Sequence, residues 1–421
     1  MFKTTVCIAI LLTVLTMILP MNSFAASNVV QVNANGQSCL HNKVPVYTTI
    51  QAAVNAVASG GTVLVCPGTY PEQVTISQPL TLRGVQSRNM GAAVVVPPAT
   101  GLKKLPGTST APQIFVYAVT TGPVTLDNLT VDASNNLITD CTLLLEGVYF
   151  FDASGTVKNV AARNQSSAVG GSECNGGFGI RVVGIASSVD VKIQNNSVRA
   201  YDSAGILAQA AGASTSVTIQ NNSVSGPGPV SNIATRGIWM LDGATGPVSG
   251  NSVVDNSGLS AGGSEGILTQ GSHGVQMVGN ILGNNAYGIK FIPDPGLDAD
   301  NGTVSQNIVL GSGIDGIYVC SNNNLVQANR ISASLESGVN LANVSGTCSG
   351  NNNTVSNNGI NEACAGILVD PGVTGNVTSP NSIFNATTLQ LTGTNCTSGP
   401  GASSRSTPHA TAGGLSGQVV F

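Results

Sequence analysis

The chain has 421 residues, of which only 8% are charged while glycine alone takes 52 positions, and its formal charge is −4. With 15 Lys and Arg spread thinly and no basic stripe, nucleic acid is excluded as a partner. So much glycine and so few charges also exclude long solvated helices, and suit thin layers joined by many turns.

The chain opens as a secretory signal: Lys3 supplies the charge, Val6 to Met21 the apolar run, and Ser23-Phe24-Ala25 a small-x-small cleavage site. Residues 1–25 are therefore read as a signal peptide, and the mature protein as secreted or periplasmic. The run is shorter than a spanning helix and contains Pro20, so no membrane insertion is expected after the signal is removed. Eight cysteines remain, Cys39, Cys66, Cys141, Cys174, Cys320, Cys348, Cys364 and Cys396. An even count in an exported chain points to disulfides, and of the 105 pairings open to eight cysteines the sequential one joins nearby segments. Zinc is the rival, but there is no Cys-x-x-Cys, and His41, His273 and His409 lack metal-site spacing to the cysteines.

Residues 26–47 form a lead-in. Thr48 and Thr49 are N-cap candidates for a helix with Ile50, Ala53, Val54 and Val57 on one face, ended by Gly60-Gly61. Such a helix would cover the open end of a stack of strands. Strand signals follow at Thr62-Val63-Leu64-Val65, Val74-Thr75-Ile76 and Leu80-Thr81-Leu82, with a turn expected at Pro67-Gly68-Thr69-Tyr70. This opening, from Thr49-Ile50-Gln51-Ala52-Ala53 through Pro67-Gly68-Thr69-Tyr70-Pro71-Glu72 to Leu80-Thr81-Leu82-Arg83-Gly84, resembles the first coil of pectin-lyase-like right-handed β-helix proteins. Pectin methylesterases and the periplasmic copper-accessory β-helix family share it. The resemblance implies the fold and leaves function open, because that superfamily holds lyases, hydrolases, esterases, epimerases and non-enzymes. The motifs of its enzyme families do not carry over. Asp-Phe-Ile-Phe-Gly is missing, and Ser272-His273-Gly274 and Gly288-Ile289-Lys290 only echo the polygalacturonase pair at too short a separation. The Met and His ligands that a copper-accessory role would favour are few.

Residues 85–178 are less regular, with a loop at Pro97-Pro98 and Lys103-Lys104-Leu105-Pro106 and one further coil from Val124 to Asp132. From Gly179 a phrase of Gly, aliphatic, any residue, apolar or small recurs. Its glycines are Gly179, Gly205, Gly237, Gly266, Gly288, Gly316, Gly338 and Gly366, spaced 26, 32, 29, 22, 28, 22 and 28 residues apart. Between them fall Asn196, Asn222, Asn251, Asn280, Asn307, Asn329 and Asn358. A floor of 22 with variable excess means a rung of fixed length plus loops. A unit of two or three short strands cannot bury its apolar face alone and must stack. The fold class is all-β: a right-handed parallel β-helix over residues 48–397 with an N-terminal capping helix. Its asparagines form an amide ladder at a turn. Residues 398–421, mostly Ser, Gly, Thr, Ala and Pro, read as a flexible tail.

Strand alternation locates the candidate chemistry. If the Ile or Val after each glycine points inward, the next residue points out, giving the column Arg181, Leu207, Trp239, Leu268, Lys290, Tyr318, Asn340, Leu368. The residues before the glycines form a neighbouring column that contains Arg236, Glu265, Tyr287 and Asp315. Aromatic rings suit stacking on sugars and cations suit carboxylates, so Arg181, Arg236, Trp239, Tyr287 and Tyr318 are the substrate-binding candidates for a polysaccharide. Glu265 and Asp315, two rungs apart, fit the upper spacing range of an inverting acid and base, whereas Lys290 would be the base of a lyase. Asp294, Asp298 and Asp300 are candidate calcium ligands, with a solvated turn as the alternative. Two readings stand: a polysaccharide lyase or glycoside hydrolase, and a non-catalytic surface or carbohydrate-binding solenoid. A periplasmic accessory protein is a weaker third.

Overall fold

A computed structural model describes residues 27–392 apart from 41–42, 87–90, 170–171, 230–232, 259–262 and 387. The signal peptide, the flexible tail and Cys396 lie outside the described residues. Three long sheets of 13, 12 and 12 strands make up the body. In each sheet hydrogen-bonded neighbours are parallel and come from successive coils, as in Val189–Gln194 beside Thr215–Gln220, Ser197–Arg199 beside Ser223–Gly228, and Ala204–Ala210 beside Arg236–Leu241. Each coil thus gives one strand to each sheet, and the whole is a right-handed parallel β-helix.

Alternation puts one aliphatic stripe per sheet inside. Ile206, Ile238, Ile267, Ile289 and Ile317 stack in one continuous core with Val217, Val248 and Met277 of the first sheet and Val224, Val253 and Leu282 of the second. The recurring glycines sit inside the third-sheet strands, except Gly316, which lies at a bend just before Ile317–Val319. A Cβ at Gly237 would collide with Val253 Cγ1 of its own coil and with the Gly266 carbonyl. The pairing steps past this glycine, Arg236 opposite Glu265 and Ile238 opposite Ile267, so the residue before it and the residue two after it both face outward.

The asparagines form the ladder expected of them. From Asn196 to Asn358 each buried amide donates from Nδ2 to the Oδ1 of the next, at 2.9–3.0 Å. The residue just before each ladder position takes a left-handed backbone, as at Asn195, Asn221, Gly250 and Gly279, which is why Asn-Asn and Gly-Asn recur there.

Near the N-terminus the structure differs from the sequence reading in three places. The helix is Ile50–Ala56, with Thr49 capping the Ala52 amide, and it ends before Val57 instead of at Gly60-Gly61. β-branched Val57 is extended and starts the strand Val57–Val65, where sheet pairing outweighs the glycine signal. Gly68–Pro71 is a strand of the second sheet, not a turn, because Tyr70 buries its ring and donates to the Cys66 carbonyl. The lead-in supplies a strand too: Ser27–Val32 pairs with Val57–Val65. Disulfides join Cys39 to Cys66, Cys141 to Cys174 and Cys320 to Cys348, the sequential pairs, and Cys364 is also disulfide-bonded. Among the described residues no helix is long and apolar enough to cross a membrane.

Candidate functional site

The outer face of the third sheet carries the candidate residues in two registered columns. One reads Phe115, Tyr149, Arg181, Leu207, Trp239, Leu268, Lys290, Tyr318, Asn340, each opposite the next. The other reads Phe178, Ala204, Arg236, Glu265, Tyr287, with Asp315 on the following coil. Leu207, Phe178 and Ala204 are buried and pack with Trp239 and Leu241 as an apolar floor.

Glu265 is the centre of this face. Its side chain is 2% exposed; Oε1 accepts from Lys290 Nζ at 3.0 Å, and Arg236 Nε lies 3.5 Å from Oε2. Arg236 in turn lies over the Trp239 ring at 4.6 Å, and Lys290 over Tyr287 at 4.2 Å and Tyr318 at 5.6 Å. One carboxylate therefore anchors two cations, and each cation is also held against aromatic rings. Burial raises the Glu265 carboxyl, opposed by Lys290 and Arg236.

Asp315 does not face Glu265 as a free partner. It is buried, with Oδ1 accepting from the Ser337 amide and hydroxyl and Oδ2 from Asn340 Nδ2. Burial nonetheless pushes it up to about 7. Arg181 is two strands from Trp239 and makes its own ion pair, Nη1 to Glu146 Oε1 at 3.0 Å, while lying over Tyr149 and Phe178. Glu146 is likewise pushed up to about 7, by burial against the pull of Arg181.

These two carboxyls make stability depend on pH. Each holds its proton in the fold up to about 7 but releases it in the unfolded chain near 3.8 or 4.5. Their contribution to stability is therefore greatest below those unfolded values, falls as pH rises through the window, and levels off above about 7. The urea midpoint should be higher at about pH 5 than at about pH 8. Asp315→Asn should narrow that gap mainly by raising the midpoint at the higher pH; an unchanged gap would remove Asp315 as a cause.

The calcium triad expected from spacing does not assemble. Asp294 accepts from Gln270 Nε2 at 2.6 Å, Asp300 takes the Asn322 amide, and Asp298 is exposed. No three His, Cys, Asp or Glu among the described residues could hold a metal ion. Among the described residues the side chains do not fit a copper site either: Met240 and Met277 are core residues, and His273 is exposed between two bends.

Sequence reading missed Glu146, Tyr149, Phe115, Tyr117 and Phe151, which continue this face over the two preceding strands, Thr110–Tyr117 and Leu144–Phe151. A signal was present. Gly147-Val148-Tyr149-Phe150 is the recurring phrase one coil earlier, and it places Glu146 and Tyr149 in the two outward positions. In the strand before it the glycine is replaced by Gln113, which is buried and donates to the Asp132 carbonyl.

Comparison with solved structures matches this architecture across most of its length. The Dettilon tailspike protein (gp208) superposes with a TM-score of 0.61 at 17% identity, over 85% of this chain and 68% of that one. The catalytic unit of the GH87 alpha-1,3-glucanase from Streptomyces thermodiastaticus strain HF3-3 gives 0.51 at 16% identity, over 83% and 67%. PfbA, a surface adhesin of Streptococcus pneumoniae, gives 0.50 at 15% identity, over 81% and 87%. The chain has the pectin-lyase-like right-handed β-helix fold. At these identities the likeness shows the β-helix alone. A family model described as periplasmic copper-binding protein (NosD) matches residues 228–398, the C-terminal coils of this β-helix. No curated protein sequence matches the chain.

Proposed function

We propose that the protein acts outside the cytoplasm and binds a polysaccharide lengthwise along the outer face of its third sheet. The observation that carries this is the ring-and-ion-pair stripe itself. Trp239, Tyr287 and Tyr318 sit on coils held in register and are fixed by Arg236, Lys290 and the buried Glu265. Rings pinned in this way are preorganised for stacking on a chain whose units repeat, and little side-chain entropy is lost on binding. The outward positions of the first sheet are mostly short and polar, such as Ser216, Thr218, Thr303 and Ser305, and offer no comparable platform. The disulfides agree with an oxidising compartment.

Cleavage is the second reading, favoured by the raised carboxyls of Glu265 and Asp315. Binding is preferred because Asp315 has both oxygens taken and Lys290, the lyase-base candidate, is engaged by Glu265 Oε1 at 3.0 Å.

The test is a panel of neutral and acidic polysaccharides, with calcium and with chelator, read by affinity electrophoresis, reducing ends and the absorbance of unsaturated uronates. Retention without turnover, weakened about tenfold in Trp239→Ala, is the expected result. Unsaturated product lost in Lys290→Ala, or reducing ends lost in Glu265→Gln or Asp315→Asn, would establish a lyase or a hydrolase. Neither retention nor turnover would end the polysaccharide reading.

A further inference from the structure

We infer that the ligand of this face is an uncharged polysaccharide, and that four aromatic rings N-terminal to the ion pairs form a further stacking subsite for it. The inference rests on the polysaccharide reading above and names its chemical class.

Phe115, Tyr117, Tyr149 and Phe151 form a two-by-two array on adjacent strands. Ring centroids lie 5.4 Å apart for Phe115–Tyr117 and Phe115–Tyr149, 5.9 Å for Tyr117–Phe151 and 5.8 Å for Tyr149–Phe151. Tyr117 is 47% exposed and the two phenylalanines are partly exposed, while Tyr149 is buried and backs them, so three of the four rings present a surface to solvent. On the other two sheets the same coils put Thr125, Thr156, Lys158 and Arg163 outward, so the rings are confined to the face that bears the site. The array is also continuous with that site: Phe115 and Tyr149 head the column of Arg181, Trp239, Lys290 and Tyr318, and Arg181 lies 5.1 Å above the Tyr149 ring. From Phe115 to Tyr318 the column crosses eight strands, about 34 Å at roughly 4.8 Å per step, which suits a polymer and not a single sugar.

The class follows from the charges. Each cation in these columns, Arg181, Arg236 and Lys290, is within ion-pair distance of a buried carboxyl of Glu146 or Glu265. A uronate would have to break one of those pairs, and would also meet the carboxyls of Asp242 and Asp294, which lie against each other at the edge of the face. Aromatic rings recognise the apolar face of a neutral pyranose without any such cost.

Affinity electrophoresis would use soluble α-glucan, β-glucan, xylan and galactomannan against polygalacturonate and alginate. At least one neutral polymer should retain the wild type, equally at low and high salt, and the uronate polymers should not. Tyr117→Leu and Phe151→Leu should each weaken retention roughly threefold to tenfold, while Tyr117→Phe keeps it. Leucine variants that bind like the wild type would overturn the subsite. Salt-sensitive retention by uronate polymers alone would overturn the class and leave the polysaccharide reading standing. No retention by any polymer would remove both.

Discussion

Glu265→Ala should destabilise the protein by roughly 3–5 kcal/mol, the cost of leaving a buried charge without its partner. Two cations depend on this carboxylate, and both are mostly buried: the Lys290 side chain is 11% exposed and that of Arg236 17%. Neither can swing into water without leaving the ring that holds it, Tyr287 for Lys290 and Trp239 for Arg236. Glu265→Gln should cost less, because an amide oxygen still accepts from Lys290. Replacing all three partners, Glu265→Leu with Lys290→Met and Arg236→Met, should recover much of the loss, since a buried ionic cluster exchanged for apolar groups of similar volume is often close to neutral. Urea midpoints of the four proteins decide the matter. A loss below about 1 kcal/mol for Glu265→Ala would mean that the pair is screened like a surface one, contrary to its burial.

Asn280→Ala should cost a similar amount, about 3–5 kcal/mol, through several unmet hydrogen bonds together. Asn280 Oδ1 accepts the Asn251 amide and the Asn251 Nδ2, both at 3.0 Å, and its Nδ2 donates to the Val248 carbonyl and to Asn307 Oδ1, both at 2.9 Å. The residue is fully buried, so water cannot take over these partners. Coils contact only their neighbours, so a break in mid-ladder should loosen the coils on both sides. Hydrogen exchange would show this as lost protection at Asn251 and Asn307 before any change near Ile50–Ala56. Gln276→Ala, at an exposed position of the same coil, is the control and should stay within about 0.5 kcal/mol of the wild type. If Asn280→Ala behaved like that control, the ladder would be decoration on a stack held by its aliphatic core.

The repeat determined most of this protein by itself. A glycine followed by an aliphatic residue, returning with a floor of 22 residues, admits one arrangement. Only a stack of short strands lets the Gly237 backbone approach Val253 that closely, and only a stack gives each ladder amide a partner above and below. Alternation after each glycine set the column of Trp239, Leu268 and Lys290, whereas the column of Arg236, Glu265 and Tyr287 faces outward only because the pairing steps past the glycine.

Tertiary structure alone decided what those columns do. Lys290 and Glu265 lie 25 residues apart in the chain and meet because adjacent coils bring them together. Asp315, an equal candidate by position, turned into the hydrogen bonds of Ser337 and Asn340, partners set by side-chain packing that no spacing encodes. Asp294 and Asp300 went to Gln270 and Asn322 for the same reason. The aromatic array was hidden where irregular loops interrupt the period, although Gly147-Val148-Tyr149-Phe150 still carried the phrase. Periodicity specifies a backbone and the direction in which a side chain leaves it; which neighbour that side chain then finds depends on contacts between coils, and those exist only after the stack has formed.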